Sequence, residues 1–279
     1  MKETDIAIIG GGPAGLSAAI YAASLGAKVT LIDDGLELGG QLIKQTHKFF
    51  GSEKQFAGIR GIEIAKKMIR DIKEYDNVEV IDNATVTGYY EDEVITIVQG
   101  VNGDKLKKLK AKKIIIATGA SENMLPFVNN DLPGVYGAGA VQTLMNLYGV
   151  VPGNNILMVG AGNIGLIVSY QLLQAGIKVE AIVEALPKVG GYLVHASKIR
   201  RLGVPIYTSH TLKEVYGKDC VEKVVISEIN KNFEFIPGTE KEFKVDTVCL
   251  AVGLSPLSDL LWQAGCQMKY ILSSAVMWP

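Results

Sequence analysis

Apolar and polar positions do not alternate evenly along this chain. The apolar ones gather into two stretches without a single charge, Ile6–Ala27 and Ile156–Ile177. Each is long enough to cross a membrane. Each is also broken near its start by small residues, Gly10-Gly11-Gly12-Pro13 and Gly160-Ala161-Gly162, which would interrupt a spanning helix. The segment Met1-Lys2-Glu3-Thr4-Asp5 lacks the basic start of a secretion signal. The pattern predicts a buried strand, a tight turn and a buried helix in each stretch, with no membrane span. At an offset of 150, Gly10, Gly12, Gly15 and Gly26 fall on Gly160, Gly162, Gly165 and Gly176, and Lys28-Val29 falls on Lys178-Val179. This is an internal repeat of a whole βαβ unit.

In the first unit, Asp5–Ile9 reads as a strand buried on both faces of a parallel sheet. Gly10-x-Gly12-x-x-Gly15 follows. The first glycine permits the turn, the second lets a pyrophosphate approach the backbone, and the third lets helix and strand pack closely. A helix from about Pro13 to Leu25 points its N-terminal N–H groups at that phosphate, and Gly26 ends it. The strand Val29–Ile32 leads to Asp33, placed to accept hydrogen bonds from an adenosine ribose. The second unit repeats the order: a strand over Asn155–Val159, Gly160-x-Gly162-x-x-Gly165, a helix to about Ala175, a strand over Val179–Val183 and then Glu184. A carboxylate there hydrogen-bonds a free ribose and repels a 2′-phosphate. No arginine adjoins it in sequence, and the first nearby cation is Lys188, so NAD(H) is expected over NADP(H). Counted from the first glycine, Glu184 comes one place later than Asp33.

Elsewhere the signals are simpler. Ile114–Gly119 and its counterpart Thr247–Gly253 read as buried strands ending in small-residue turns. Glu79–Val98 suggests antiparallel strands, Asn102–Lys113 a solvated, lysine-rich turn, and Pro126 with Asp131-Leu132-Pro133-Gly134 a crossover between domains. The 279 residues fit about two domains. With 28 basic and 29 acidic residues, the net charge of −1 gives no footprint for nucleic acid or an anionic membrane. Apolar residues make up 48%, which excludes disorder, and the 31 glycines exceed the usual ~7%. Cys220, Cys249 and Cys266 are odd in number and form no C-x-x-C, so a disulfide framework, a zinc site and a dithiol centre are all disfavoured. Reduced thiols fit a cytoplasmic protein. The three histidines are too scattered for a metal cluster, and His195 reads as a packed or exposed histidine rather than a catalytic acid.

Gly10-Gly11-Gly12-Pro13-Ala14-Gly15, Gly39-Gly40-Gln41-Leu42, Ala117-Thr118-Gly119 and Gly160-Ala161-Gly162-Asn163-Ile164-Gly165 come in the order seen in thioredoxin reductase-like flavoproteins of the pyridine nucleotide-disulfide oxidoreductase superfamily, which the chain resembles up to about Tyr270. The runs Gly137–Val151 and Val189-Gly190-Gly191-Tyr192 resemble the FAD/NAD subunit of multi-subunit amino-acid and opine dehydrogenases. The resemblance implies an α/β fold of two Rossmann-like, three-layer ββα/α domains, the NAD domain inserted into the FAD domain. The expected bounds are 1–122 for the first part of the FAD domain, 123–254 for the NAD domain and 255–279 for an incomplete return. FAD would meet Gly10, Gly12, Pro13, Ala14 and Gly15 at its pyrophosphate and Asp33 at its ribose. Gly40, Gln41 and Thr46 would lie along it, with Ala117, Thr118 and Gly119 near its far side. NAD would meet Gly160, Gly162, Asn163, Ile164, Gly165, Glu184 and Gly253.

Two departures from the resemblance matter. Thioredoxin reductases carry a C-x-x-C in the second domain and this chain does not, so dithiol chemistry is excluded. The family also returns to its FAD domain after the NAD domain, and here that segment is missing. The residues Leu272–Pro279 can be written as a one-base-deleted form of Pro-Glu-Leu-Gly-Gly-His-Val, so the chain reads as a truncated or frameshifted product. The expected function is FAD-dependent electron transfer between NAD(H) and an acceptor or partner subunit, with the cofactors carrying the chemistry and no catalytic side chain to nominate. The alternatives are a non-catalytic dinucleotide-binding remnant and a flavin-free NAD dehydrogenase. The latter does not account for Gly39-Gly40-Gln41 or Ala117-Thr118-Gly119.

Overall fold

The computed structural model describes the chain except residues 101, 104, 272–275 and 279, and gives only the backbone of Val276–Trp278. The reading-frame expectation over 272–279 therefore lies outside the described side chains. Contacts divide the chain into two compact units, Met1–Ser121 with the residues from Ser255 onward, and Glu122–Leu254.

In the first unit, β1 (Lys2–Ile9) is followed by α1 (Pro13–Ser24), β2 (Val29–Ile32), α2 (Gly61–Lys73), β3 (Val78–Ile81), β4 (Ala84–Tyr89), β5 (Val94–Gln99) and β6 (Lys105–Ile116). The sheet order is β3-β2-β1-β6-β5-β4. The first four strands run parallel and the β4–β5–β6 part is antiparallel. Period-two alternation sends Ile8, Val29 and Leu31 against Leu16, Ala19 and Met68 of the two helices. Ala7, Ile9 and Ile32 pack on the other face with Ile95, Ile97 and Leu109. Pro13 opens α1 at a position where its missing N–H costs nothing. Gly26, at φ +83°, closes it through Gly26 N–H to Ala23 O and Ala27 N–H to Ala22 O.

Three expectations need correction. Val78–Ile81 pairs parallel with β2, so only the later part of Glu79–Val98 is antiparallel. Lys105–Lys113 is not a turn but most of a twelve-residue strand. Its lysines fall on both faces, which hides the alternation: the strand pairs antiparallel with β5 up to Lys110 and parallel with β1 from Leu109 on, and only Leu109 and Ala111 of the run are buried. Ile114 and Ile116 are half-buried and Ile115 is exposed, because β5 leaves β6 at Lys110 and no described strand replaces it.

β7 (Ala120–Glu122) straddles the boundary, and the second unit follows with β8 (Val135–Gly137), α3 (Ala138–Asn146), β9 (Asn155–Val159), α4 (Asn163–Gln174), β10 (Lys178–Glu184), α5 (Leu193–Arg201) and β11 (Ile206–Thr208). Then come β12 (His210–Tyr216), β13 (Lys223–Glu228), β14 (Lys241–Phe243) and β15 (Thr247–Leu250). A parallel sheet of order β11-β10-β9-β15-β8 lies between helices on one face and the antiparallel β12-β13-β14 sheet on the other. Ile156 and Met158 face Leu166, Leu172 and Ile199, while Leu157 and Val159 face Leu212, Val224 and Ile226. This is the three-layer α/β arrangement. The chain returns through β16 (Leu254–Pro256), which pairs with β7, and continues into α6 (Asp259–Gln263) and β17 (Lys269–Ile271). No helix among the described residues is long and apolar enough to cross a membrane.

Asp246 ties the starts of β15 and β9 together. Its carboxylate accepts the N–H groups of Asn154 and Asn155 at 2.9–3.1 Å and the Asn154 amide at 3.2 Å. Burial pushes its pKa up, but these hydrogen bonds outweigh burial and hold it below the ordinary value. A depressed carboxylate stabilises the fold above the unfolded-state pKa and loses that contribution as pH falls through the folded value. Asp246→Ala is expected to cost about 1 kcal/mol at pH 7. Urea titrations should show the difference from the parent shrinking as the pH is taken down through the carboxylate range.

Candidate functional site

Each unit builds its turn from the same two close contacts. A Cβ on Gly10, at φ +109°, would stand 2.2 Å from Ala117 O, and one on Gly160, at φ +103°, 2.3 Å from Ala251 O. A Cβ on Gly15 would lie 1.7 Å from Gly10 O, and one on Gly165 2.0 Å from Gly160 O. These glycines let strand, helix and neighbouring strand converge. The middle glycines differ. A Cβ on Gly12 would meet only Gly40 Cα, at 3.9 Å, and one on Gly162 would meet nothing within 4 Å. Both are extended N-cap residues, and neither helix has a side-chain cap. The first-turn N–H groups of Ala14 and Gly15, and of Ile164 and Gly165, have no protein partner among the described residues. Each turn is therefore an open cradle of N–H donors at the positive end of a helix, the chemistry a diphosphate requires.

Both acids are held by the turn itself. Asp33 Oδ2 accepts Gly11 N–H at 2.5 Å and Oδ1 accepts Gly35 N–H at 2.9 Å. Glu184 Oε2 accepts Ala161 N–H at 2.8 Å and Oε1 accepts Leu186 N–H at 3.0 Å. The acids occupy equivalent places despite the one-residue offset between them. β10 pairs with β9 through Val179↔Ile156 and then Ala181↔Leu157, so Glu180 is the extra residue of a β-bulge. Remaining lone pairs on both carboxylates can accept sugar hydroxyls.

A loop covers each turn. Gly39 N–H donates to Gly11 O at 2.8 Å, and a Cβ on Gly40 would stand 2.8 Å from Gly12 Cα. In the second unit Gly191 N–H donates to Ala161 O at 2.9 Å, and Tyr192 N–H donates to Asn163 Oδ1 at 2.8 Å. Gly191 is thus the counterpart of Gly39, each donating to the carbonyl of the residue after the first glycine. Sequence reasoning saw both glycine doublets without linking them, and it missed Gly11, Gly35, Ala161 and Leu186, whose backbone N–H groups aim the acids. A second doublet some thirty residues after each glycine turn was the available signal.

The sequence-predicted residues divide accordingly. Gly10, Gly12, Pro13, Ala14, Gly15, Asp33, Gly40 and Ala117 gather around the first turn, and Gly160, Gly162, Asn163, Ile164, Gly165 and Glu184 around the second. Gln41 is exposed on the short 3-10 helix Gly40–Lys44, and Thr46 is half-buried beyond it. Thr118 Oγ1 donates to Leu257 O at 3.0 Å, and Gly119 is exposed. Gly253, at φ +118°, accepts Asn123 N–H at its carbonyl. Beside Glu184, its ladder partner Thr208 helps line a cavity of about 360 Å³ that Lys188 and Arg200 share. Folding thus brings in an arginine sixteen residues from the acid in sequence, which adjacency did not reveal. His195 is buried, and its pKa is lowered by burial and then by Lys198. No group of three or more His, Cys, Asp or Glu among the described residues could hold a metal ion.

Comparison with known proteins fits this geometry. The family model described as pyridine nucleotide-disulphide oxidoreductase matches residues 4–273. Sarcosine oxidase subunit alpha of Rhizobium meliloti (strain 1021) is 33% identical over 197 residues, 67% of this chain and 19% of that relative. The chain thus spans about a fifth of that relative's length. L-proline dehydrogenase from P. horikoshii superposes with a TM-score of 0.73 at 26% identity, over 99% of this chain and 47% of that one. Thioredoxin reductase of T. acidophilum gives a TM-score of 0.75 at 22% identity, over 98% and 83%, and so shares the fold. The chain belongs to the pyridine nucleotide-disulphide oxidoreductase family.

Proposed function

We propose that the first unit holds FAD, that the second holds NAD(H), and that the chain passes electrons between NAD(H) and an acceptor or partner subunit. The observation that carries this is the duplicated cradle: two open glycine turns, each with an acid pinned by the turn's own N–H groups. Ala14 and Gly15 supply N–H donors to the pyrophosphate of FAD, and Ile164 and Gly165 to that of NAD. Asp33 and Glu184 accept the ribose hydroxyls, and the charge of Glu184 disfavours a 2′-phosphate. Gln41 and Thr46 lie along the flavin cofactor, with Thr118 and Gly119 beyond Ala117. Hydride exchange between nicotinamide and flavin is the chemistry the bound cofactors supply. The protein's part is to orient them and exclude water.

The relatives' names support a partner, since sarcosine oxidase subunit alpha is one subunit of its enzyme. A second reading, a dinucleotide-binding chain that does not turn over, draws on the exposure of Ile115 at the edge of the first sheet. The spectrum of the purified, FAD-reconstituted protein separates the two. Retained flavin absorbance that bleaches anaerobically with NADH supports electron transfer. NADH binding without retained flavin supports the second reading.

Gly162→Val puts a side chain into the second cradle at an ordinary φ, where a Cβ meets nothing within 4 Å. It is expected to keep the melting temperature within about 2 °C while weakening NADH binding by about a hundredfold, or about 2.7 kcal/mol. Glu184→Gln removes the charge while keeping a hydrogen-bond acceptor. NADH affinity should fall by about tenfold and the preference for NADH over NADPH should narrow, both readable by calorimetric titration.

A further inference from the structure

The two covering loops part company at one residue. Gly191 matches Gly39, so the residue after it, Tyr192, matches Gly40. In the first unit the loop closes on the cradle with main chain alone, since a Cβ on Gly40 would stand 2.8 Å from Gly12 Cα. In the second unit that place carries a large aromatic side chain. Its backbone is tied to the cradle: Tyr192 N–H is the group bonded to Asn163 Oδ1, and Asn163 directly precedes Ile164. A Cβ on Gly191 would stand 2.9 Å from Gly162 C and 3.0 Å from Asn163 N, so the loop rests on the rim of the cradle.

The direction of the ring follows from α5. Tyr192 caps that helix, and His195 and Lys198 come after it at three-residue spacing, so the three share one side. Lys198 Nζ lies 5.2 Å from the centre of the Tyr170 ring of α4, which identifies that side as the one turned to α4. His195 is buried there, whereas Tyr192, one turn nearer the helix start, is 63% exposed with its ring 6.4 Å from that of His195. The Asn163–Tyr192 bond makes α4 and α5 begin together, and side chains on a helix lean toward its N-terminus. The Tyr192 ring therefore runs past the first turn of α4, on the side where the Ile164 and Gly165 N–H groups are open.

We propose that Tyr192 closes the second cradle over a bound dinucleotide, its hydroxyl donating to a pyrophosphate oxygen and its ring excluding water from the N–H donors beneath. This rests on the reading of the second unit as a dinucleotide site. A hydrogen bond to a charged oxygen is among the strong ones. Tyrosine has only two torsions to fix, so closure costs little entropy. With water excluded, the bonds from Ile164 and Gly165 to the diphosphate strengthen as well. A side chain that rotates aside opens the cradle without moving the loop, which suits a ligand that comes and goes.

Tyr192→Phe removes the hydroxyl alone, and Tyr192→Ala removes the ring as well. The full chain and both variants are titrated calorimetrically with NADH and with ADP-ribose, which has the pyrophosphate and lacks the nicotinamide. Tyr192→Phe is expected to bind both ligands about tenfold more weakly than the parent, and Tyr192→Ala about thirtyfold, with the melting temperature of the unliganded chain held within about 2 °C. Parental affinity of Tyr192→Phe for both ligands overturns the proposal. Loss for NADH alone also overturns it, because the tyrosine would then meet the nicotinamide end. Tyr192→Ala binding no more weakly than Tyr192→Phe overturns the part given to the ring. A parent chain that binds neither ligand overturns the dinucleotide reading of the second unit and the proposal with it, whereas a parent that binds both, with unchanged variants, overturns only the role of Tyr192.

Discussion

Everything in the two units is arranged around a backbone contact that leaves no room for a side chain. The first helix turn presses so closely on the strand before it that a methyl on Gly15 would overlap Gly10 O, and one on Gly165 would overlap Gly160 O. Both sides of that contact are main chain, so neither can rotate away. Close approach fixes where the helix begins and therefore where its unbonded N–H groups point. The residue after the first glycine then anchors the rest: Gly11 binds Asp33 through N–H and Gly39 through C=O, and Ala161 does the same with Glu184 and Gly191. Acid, cradle and covering loop are thus three consequences of one packing constraint.

Much of this was legible because it is local. The glycine spacing, the uncharged strand and helix, and the acid ending the next strand all lie within about thirty residues. What escaped depends on partners far away in sequence. The lysine-rich run became a strand because β1 and β5 pair with successive parts of it, although its side chains carry no period-two signal. The exposure of Ile115 could not be read from an isoleucine run that looks like any buried strand, since exposure depends on whether a neighbour arrives. The same holds for Arg200, brought to the cavity beside Thr208 by the path of α5.

Two side chains of the second unit, Cys249 and Glu122, are committed to the fold. Cys249 is wholly buried, and burial together with the Glu122 carboxylate raises its pKa, so it remains a thiol. Glu122 itself receives the N–H groups of Gly139 and Ala140 at the start of α3, and methyls on Gly137 or Gly139 would crowd its carboxylate. That carboxylate serves as a helix cap and acts through the backbone.

The bulge at Glu180 has a consequence for how such halves diverge. A strand that absorbs one surplus residue midway delivers its last side chain to the same spot as a strand one residue shorter. Mutational drift in spacing is therefore tolerated between the fixed ends, and the gap that best aligns the two halves belongs inside the strand, leaving both glycine turns intact.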